Sequence, residues 1–114
     1  MLVNGIQVVF GAAGFITGSV GDVQKWLQVV EEVAIKTIDT AALYGESEQL
    51  LGEAAAAQKF TIDTKHPGGF GAQFSTRNVV IASFKKSLQA LKADSVSSRH
   101  AKLRTWIPRL TNMT

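Results

Sequence analysis

The chain has 114 residues, of which 46% are hydrophobic and 18% charged, with a formal net charge of +3 and no cysteine. That is enough for one small domain with its own core, and the composition is that of a globular protein. Disulfides and thiolate metal sites are excluded, a cytoplasmic setting fits, no run of about eighteen apolar residues is present to span a membrane, and the start MLVNGIQVVF lacks the layout of a secretory signal.

Three strand-then-helix units follow in chain order. Ile6-Gln7-Val8-Val9-Phe10 is a short apolar run rich in β-branched residues, and Gly11 ends it. A glycine-rich loop continues to Gly21. Asp22 is a suitable N-cap for a helix in which Val23, Trp26, Leu27 and Val30 recur at i, i+3, i+4 and i+7, a stripe that can pack on a sheet with Trp26 as a core residue. The second unit pairs a strand at Ala34-Ile35-Lys36-Thr37-Ile38-Asp39-Thr40 with a helix over 47–58. Ser47 is its candidate cap, and Glu48 lies in the first turn, where the helix dipole favours a negative charge. The third unit has the strand Phe60-Thr61-Ile62-Asp63-Thr64-Lys65 and a loop rich in glycine. Ser75 is the candidate cap of a helix with an apolar face at Val80, Phe84, Leu88 and Leu91. The tetrapeptide TIDT occurs at 37–40 and again at 61–64, one βα unit apart. Recurrent βα units with helical crossovers imply an α/β fold on a parallel sheet, without choosing between a closed barrel and an open one.

After Asp94-Ser95-Val96 the pattern fails. Residues 97–114 show no sustained alternation and no buried run, and they carry Arg99, Lys102, Arg104 and Arg109 with no acid. This stretch is +4, which leaves −1 on the rest of the chain. We expect it to be an irregular tail, foreign to residues 1–96, as a frameshift or altered splice junction would produce. Four spaced cations are a thin basis for holding a polyanion, so no nucleic-acid or membrane partner is expected. No His/Asp/Glu spacing suggests a metal site, and Gly68, Gly69 and Gly71 lack the lysine and hydroxyl of a phosphate loop.

Strand alternation puts Thr37 and Asp39 on one face, as it does Thr61, Asp63 and Lys65. If both strands belong to a parallel barrel, their C-terminal ends open onto one mouth. Asp39, Asp63 and Lys65 then lie close together, with Tyr44 in the loop five residues beyond Asp39. A free phenol, with a pKa of about 10, is a poor acid near neutrality, and a nearby ammonium stabilises the phenolate and makes it a better one. Spacing alone leaves a plainer alternative open, in which both aspartates are ordinary strand-end residues and Lys65 is a solvated loop lysine.

The string Ile38-Asp39-Thr40-Ala41-Ala42-Leu43-Tyr44-Gly45, followed by Ser47-Glu48 and Leu51-Gly52, resembles the signature of the aldo-keto reductases. Thr64-Lys65 is similar to the family's strand-end lysine, and Ser87-Leu88 with Leu91 to its "SLxxL" helix. The third strand, reading IDTK, resembles the aflatoxin-aldehyde-reductase branch. The resemblance covers roughly residues 5–96. It implies a partial (β/α)8 TIM barrel, comprising about the first three βα units and followed by the irregular tail, and an NADP(H)-dependent reduction of small aldehydes or ketones. It also implies roles: Asp39 orients the lysine, Tyr44 is the general acid and Lys65 lowers the Tyr44 pKa. Asp39 and Gly11 are implied on the nicotinamide side of the cofactor, with a turn that needs glycine as the alternative for Gly11. The family's fourth catalytic residue, a histidine at the end of the fourth strand, has no counterpart: His100 lacks its sequence context and His66 is off register.

A whole barrel takes about 250 residues, and most of the family's cofactor contacts come from its second half. The chain is therefore expected to bind NADPH poorly, to leave its third strand as a bare edge through which copies could associate, and to be an inactive truncated form rather than a working enzyme. A different resemblance, to the nucleotide-binding start of short-chain dehydrogenases, is carried by Val8-Val9-Phe10-Gly11-Ala12-Ala13-Gly14 with Gly18. The glycine spacing is one residue too long for it, and Tyr44 is followed at the critical distance by Glu48 instead of lysine.

Overall fold

The computed structural model describes residues 2–15, 18–66 and 76–93, together with the backbone of strand 100–104. The elements are β1 (Leu2–Val3), β2 (Ile6–Gln7), β3 (Phe10–Gly11), α1 (Val20–Glu32), β4 (Thr37–Asp39), α2 (Ser47–Glu53), β5 (Thr61–Lys65), α3 (Arg77–Ala90) and β6 (His100–Arg104). β1 and β2 form an antiparallel hairpin, and the other four strands form one parallel sheet in the order β3-β4-β5-β6.

The expected first strand is divided between these two sheets. Asn4 and Gly5 both have positive φ, at 53° and 79°. A two-residue Asn-Gly connection of this kind reverses the chain with the twist that flanking strands need. Ile6 and Gln7 therefore fold back on Val3 and Leu2, and only Phe10 and Gly11 reach the parallel sheet, beside Ile38 and Asp39. Gln7 Nε2 ties the hairpin to that sheet by donating to Thr37 Oγ1 at 3.4 Å.

The tail is corrected in one stretch. β6 lies parallel to β5, with Thr61 opposite His100 and Lys65 opposite Arg104. The third strand is thus not an edge, and residues 100–104 are not irregular. A parallel ladder is held by main-chain hydrogen bonds, so this pairing does not require the apolar side chains whose scarcity argues for a tail. The remainder of 97–114 lies outside the described residues.

Helix starts also differ in detail from expectation. Ser19, not Asp22, caps α1, its Oγ accepting from the Asp22 N–H at 3.2 Å. Thr76 caps α3 through Val79 N–H at 3.3 Å, and Ser75 falls outside the described residues. α2 ends at Glu53 rather than continuing to Gln58, because Ala55 turns left-handed (φ 57°) and a 3-10 turn follows over Ala56–Gln58.

The core lies between the sheet and its helices. Ile38 and Ile62, adjacent in register, are fully buried beneath Leu51 and Leu91, with Val23, Leu27 and Val30 of α1 alongside. Trp26 does not join them. It is 55% exposed at the edge of the α1 stripe, against the expectation of a core residue. α2 and α3 touch at Gly52, where a Cβ would fall on the carbonyl oxygen of Ala90. Gly52→Ala should therefore force the two helices apart and destabilise the fold by about 1–3 kcal/mol. Leu51→Ala should cost about 2–5 kcal/mol through the cavity it leaves. Urea denaturation midpoints of the two variants check both figures.

Candidate active site

Parallel pairing brings the C-terminal ends of all four strands, Gly11, Asp39, Lys65 and Arg104, to one side of the sheet. The β4–β5 register sets Thr37 opposite Thr61 and Asp39 opposite Asp63. The side chains then divide by alternation. Odd-numbered residues face away from the helices, and the even-numbered Ile38, Thr40, Ile62 and Thr64 face the helix layer.

On the open face Lys65 Nζ donates to Asp39 Oδ2 at 2.6 Å and to the Thr40 carbonyl at 3.1 Å. The lysine side chain is only 13% exposed and the aspartate 33%, so this charge-assisted bond is partly shielded from water and from salt. Tyr44 is half-buried in the loop after β4. Two turns hold that loop: Tyr44 N–H donates to the Ala41 carbonyl at 3.0 Å, and Ser47 N–H to the Tyr44 carbonyl at 2.9 Å. They bring the Tyr44 ring over the ammonium, with Lys65 Nζ 5.4 Å from the ring centroid. An open cleft of about 360 Å³ beside this group is lined by Val9, Gly11, Asp39 and Asp63. Larger clefts lie between α1 and the turn after α2, and between α1 and the Gly11–Ser19 stretch, away from the ion pair.

Asp39, Tyr44 and Lys65, singled out from sequence, are thus brought together, and Gly11 ends the neighbouring strand. The two histidines do not join them. His100 begins β6 opposite Thr61, at the far end of the sheet from Lys65. His66 follows Lys65 and is buried. Among the described residues no group of three His, Cys, Asp or Glu side chains is placed to hold a metal, and no helix is long and apolar enough to cross a membrane.

A second layer supports the first, and sequence reasoning gave its members other tasks. Ser47 and Glu48 begin α2, but Ser47 does not cap it. Its hydroxyl is buried, 2.8 Å from Thr40 Oγ1, and donates to the Ala12 carbonyl at 3.2 Å. Glu48 is 9% exposed, and its Oε2 accepts from Thr64 Oγ1 at 2.6 Å. Thr40 follows Asp39 and Thr64 precedes Lys65, so these bonds anchor the two strand ends that carry the ion pair. The recurrence of threonine at even positions of both TIDT strands is the signal that could have found them.

Two outcomes follow from burial. Glu48→Ala would leave the Thr64 hydroxyl buried without its acceptor, at a cost of about 1–3 kcal/mol; Glu48→Gln keeps an oxygen there and should cost less, as paired urea titrations would read. Burial also pushes the His66 imidazole below its usual pKa. Above the unfolded-state value of about 6.5 both states are neutral. As pH falls through that value the unfolded chain takes up the proton first, so stability drops until the lower folded-state pKa is passed. The denaturation midpoint of His66→Gln should fall less than the parent's between about pH 7.5 and about pH 5.5.

Comparison with known proteins bears on the family and the fold. The model of the aldo/keto reductase family matches residues 7–97. Solved structures share the fold at low identity. An aldo-keto reductase from Pseudomonas aeruginosa superposes with a TM-score of 0.70 at 22% identity, over 91% of this chain and 44% of that one. The holo form of one from Bacillus halodurans gives 0.62 at 18% identity, over 93% of this chain and 48% of that one. The chain therefore spans less than half the length of these structures, and its open sheet corresponds to part of their barrel. No match was found among curated proteins.

Proposed function

The chain belongs to the aldo/keto reductase family, and from that premise we propose that Tyr44, Lys65 and Asp39 form a site for reducing a carbonyl group, with Tyr44 as the proton donor. The observation that carries this reading is the partly buried Lys65 ammonium, clamped by Asp39 at 2.6 Å and lying 5.4 Å from the Tyr44 ring centroid. When a substrate carbonyl oxygen lies against the phenol, Tyr44 gives it a proton as the carbonyl carbon is reduced. The phenolate left behind is stabilised by the ammonium and regains a proton from solvent. Asp39 aims Lys65, and Thr40 fixes it further through its carbonyl oxygen.

NADP(H), the cofactor this family membership suggests, supplies the hydride when bound. Gly11 and Asp39 are the residues here that would lie on its nicotinamide side. The cleft they line with Val9 and Asp63 is open, and a side chain on Gly11 would meet nothing within 4 Å, so a flat ring fits in front of these strand ends. The substrates would be small aldehydes or ketones in the cytoplasm, and the IDTK strand favours the aflatoxin-aldehyde-reductase branch for their type.

A second reading is that the chain is inactive by itself. It is favoured by the sheet, which among the described residues ends at β3 and β6, and by the chain's spanning 44% of a related structure. The two readings part on one assay, NADPH oxidation with 4-nitrobenzaldehyde. The catalytic reading expects turnover, with kcat/KM lowered roughly 10²–10⁴-fold in Tyr44→Phe and strongly lowered in Lys65→Met. Turnover that Tyr44→Phe leaves intact would sink the assignment of the acid, and no turnover in the parent chain favours the second reading.

A further inference from the structure

α2 begins on Ser47, yet the helix does not use its hydroxyl. The cap position is Glu46, which makes no side-chain capping bond. Water does not use it either, since Ser47, Thr40 and Ala12 are all fully buried. A polar group held away from water costs free energy unless it is bonded. Ser47 meets that condition by joining three segments. Its Oγ donates to the Ala12 carbonyl, just beyond β3, at 3.2 Å and lies 2.8 Å from Thr40 Oγ1, just beyond β4. Its own N–H donates to the carbonyl of Tyr44 at 2.9 Å.

The direction of these bonds follows from counting protons. A hydroxyl has one hydrogen to give and can accept as well, whereas a carbonyl only accepts. The Ser47 proton therefore goes to Ala12, and the Thr40 hydroxyl donates to Ser47 Oγ. The run from Thr40 through Ser47 to Ala12 has a single sense, and it ends on groups that touch the ion pair. The Thr40 carbonyl accepts from Lys65 Nζ at 3.1 Å, and the Thr40 N–H is held by the Asp63 carbonyl at 2.8 Å. Ala12 N–H donates to the Asp39 carbonyl at 2.8 Å. The Asp39 carboxylate is partly exposed and Thr40 is fully buried. Of the two acceptors around the ammonium, the Thr40 carbonyl is the less free to move.

We propose that Ser47 is a positioning residue for the Tyr44–Lys65 pair. Through the Thr40 hydroxyl it fixes the residue whose carbonyl holds the ammonium. Through its own amide it fixes the loop that carries the phenol. One residue thus sets the 5.4 Å placement of Lys65 Nζ against the Tyr44 ring, while its hydroxyl bonds neither of them and takes no part in proton transfer. This role rests on the reading of Tyr44 and Lys65 as one site. It goes further than anchoring strand ends, because it makes the relative placement of acid and ammonium depend on a single buried hydroxyl. Displacing a reacting group by about 1 Å can slow a reaction about 100-fold, so a bond that removes such play matters even where it adds little stability.

Tyr44 is the one tyrosine of the chain, so ring-¹³C tyrosine labelling gives a single NMR reporter, and Lys65→Met marks where its resonance lies without the ammonium. In Ser47→Ala the resonance should move toward that position, and in Thr40→Val it should do so by less, because the Ser47–Ala12 bond is spared. The double variant Ser47→Ala/Thr40→Val removes the Thr40 hydroxyl that the single change leaves without an acceptor. Its urea midpoint should therefore rise above that of Ser47→Ala while the Tyr44 resonance stays displaced. A merely structural serine predicts that the resonance returns with the stability, and that result overturns the proposal. So does a folded Ser47→Ala chain with the parent's resonance or, if Ser47→Ala does not fold, an unchanged resonance in Thr40→Val. In the NADPH assay Ser47→Ala should lower kcat about 10–100-fold with KM held. A parent without turnover counts against the catalytic reading alone, since the resonance is read without it.

Discussion

The parallel register between β4 and β5 is the constraint on which the rest of the structure depends. It places Asp39 beside Asp63 and carries β5 two residues further, so that Lys65 ends its strand within reach of the Asp39 carboxylate. A slip of one residue would turn every side chain of one strand to the opposite face. Ile38 and Ile62 prevent that slip. Both are fully buried under the helices, and exposing either would cost roughly 1.5–3 kcal/mol of hydrophobic burial. The core thus fixes the site, because the same alternation that buries Ile38 and Ile62 turns Asp39 and Lys65 to the open face.

Even-numbered positions carry a second task. Thr40 and Thr64 lie on the helix side, where an ordinary core would hold apolar residues, and there they meet Ser47 and Glu48 at the start of α2. Buried polar groups are tolerated only where they are hydrogen-bonded, and here each partner satisfies another. The result is a link from α2 through two threonines to the two ends that hold the ion pair. The Tyr44 loop, closed by turns onto Ala41 and Ser47, is anchored to that same link. All three candidate residues therefore hang on one short helix and two strand ends.

The local elements were largely legible in the sequence, and the reasons for the departures are particular. Val23, Leu27 and Val30 follow the helical period and are buried as it requires, whereas Trp26 lies at the margin of the stripe and stays exposed. Asn4-Gly5 is a hairpin signal by type and position, but the apolar run after it reads as one continuous strand and hides the break at Gln7. His100-Ala101-Lys102-Leu103-Arg104 alternates polar and apolar residues over only five positions, a signal too short to stand out in a stretch without sustained alternation. Its place beside β5 is fixed by main-chain pairing.

The sequence by itself determined the family and the three residues worth suspecting. The motif from Ile38 to Gly45 is long enough to carry that information, and strand alternation is a local property of the backbone. Neither histidine has the sequence context that the resemblance implies for the family's fourth catalytic residue. Only the tertiary structure decided that Lys65 reaches Asp39 and lies beneath Tyr44, that Ser47 serves a strand end instead of capping a helix, that Glu48 in its first turn also holds Thr64, and that a fourth strand pairs with β5. These are distances and pairings between residues far apart in the chain. They depend on how elements pack and on which main-chain groups find partners, and no local pattern encodes either.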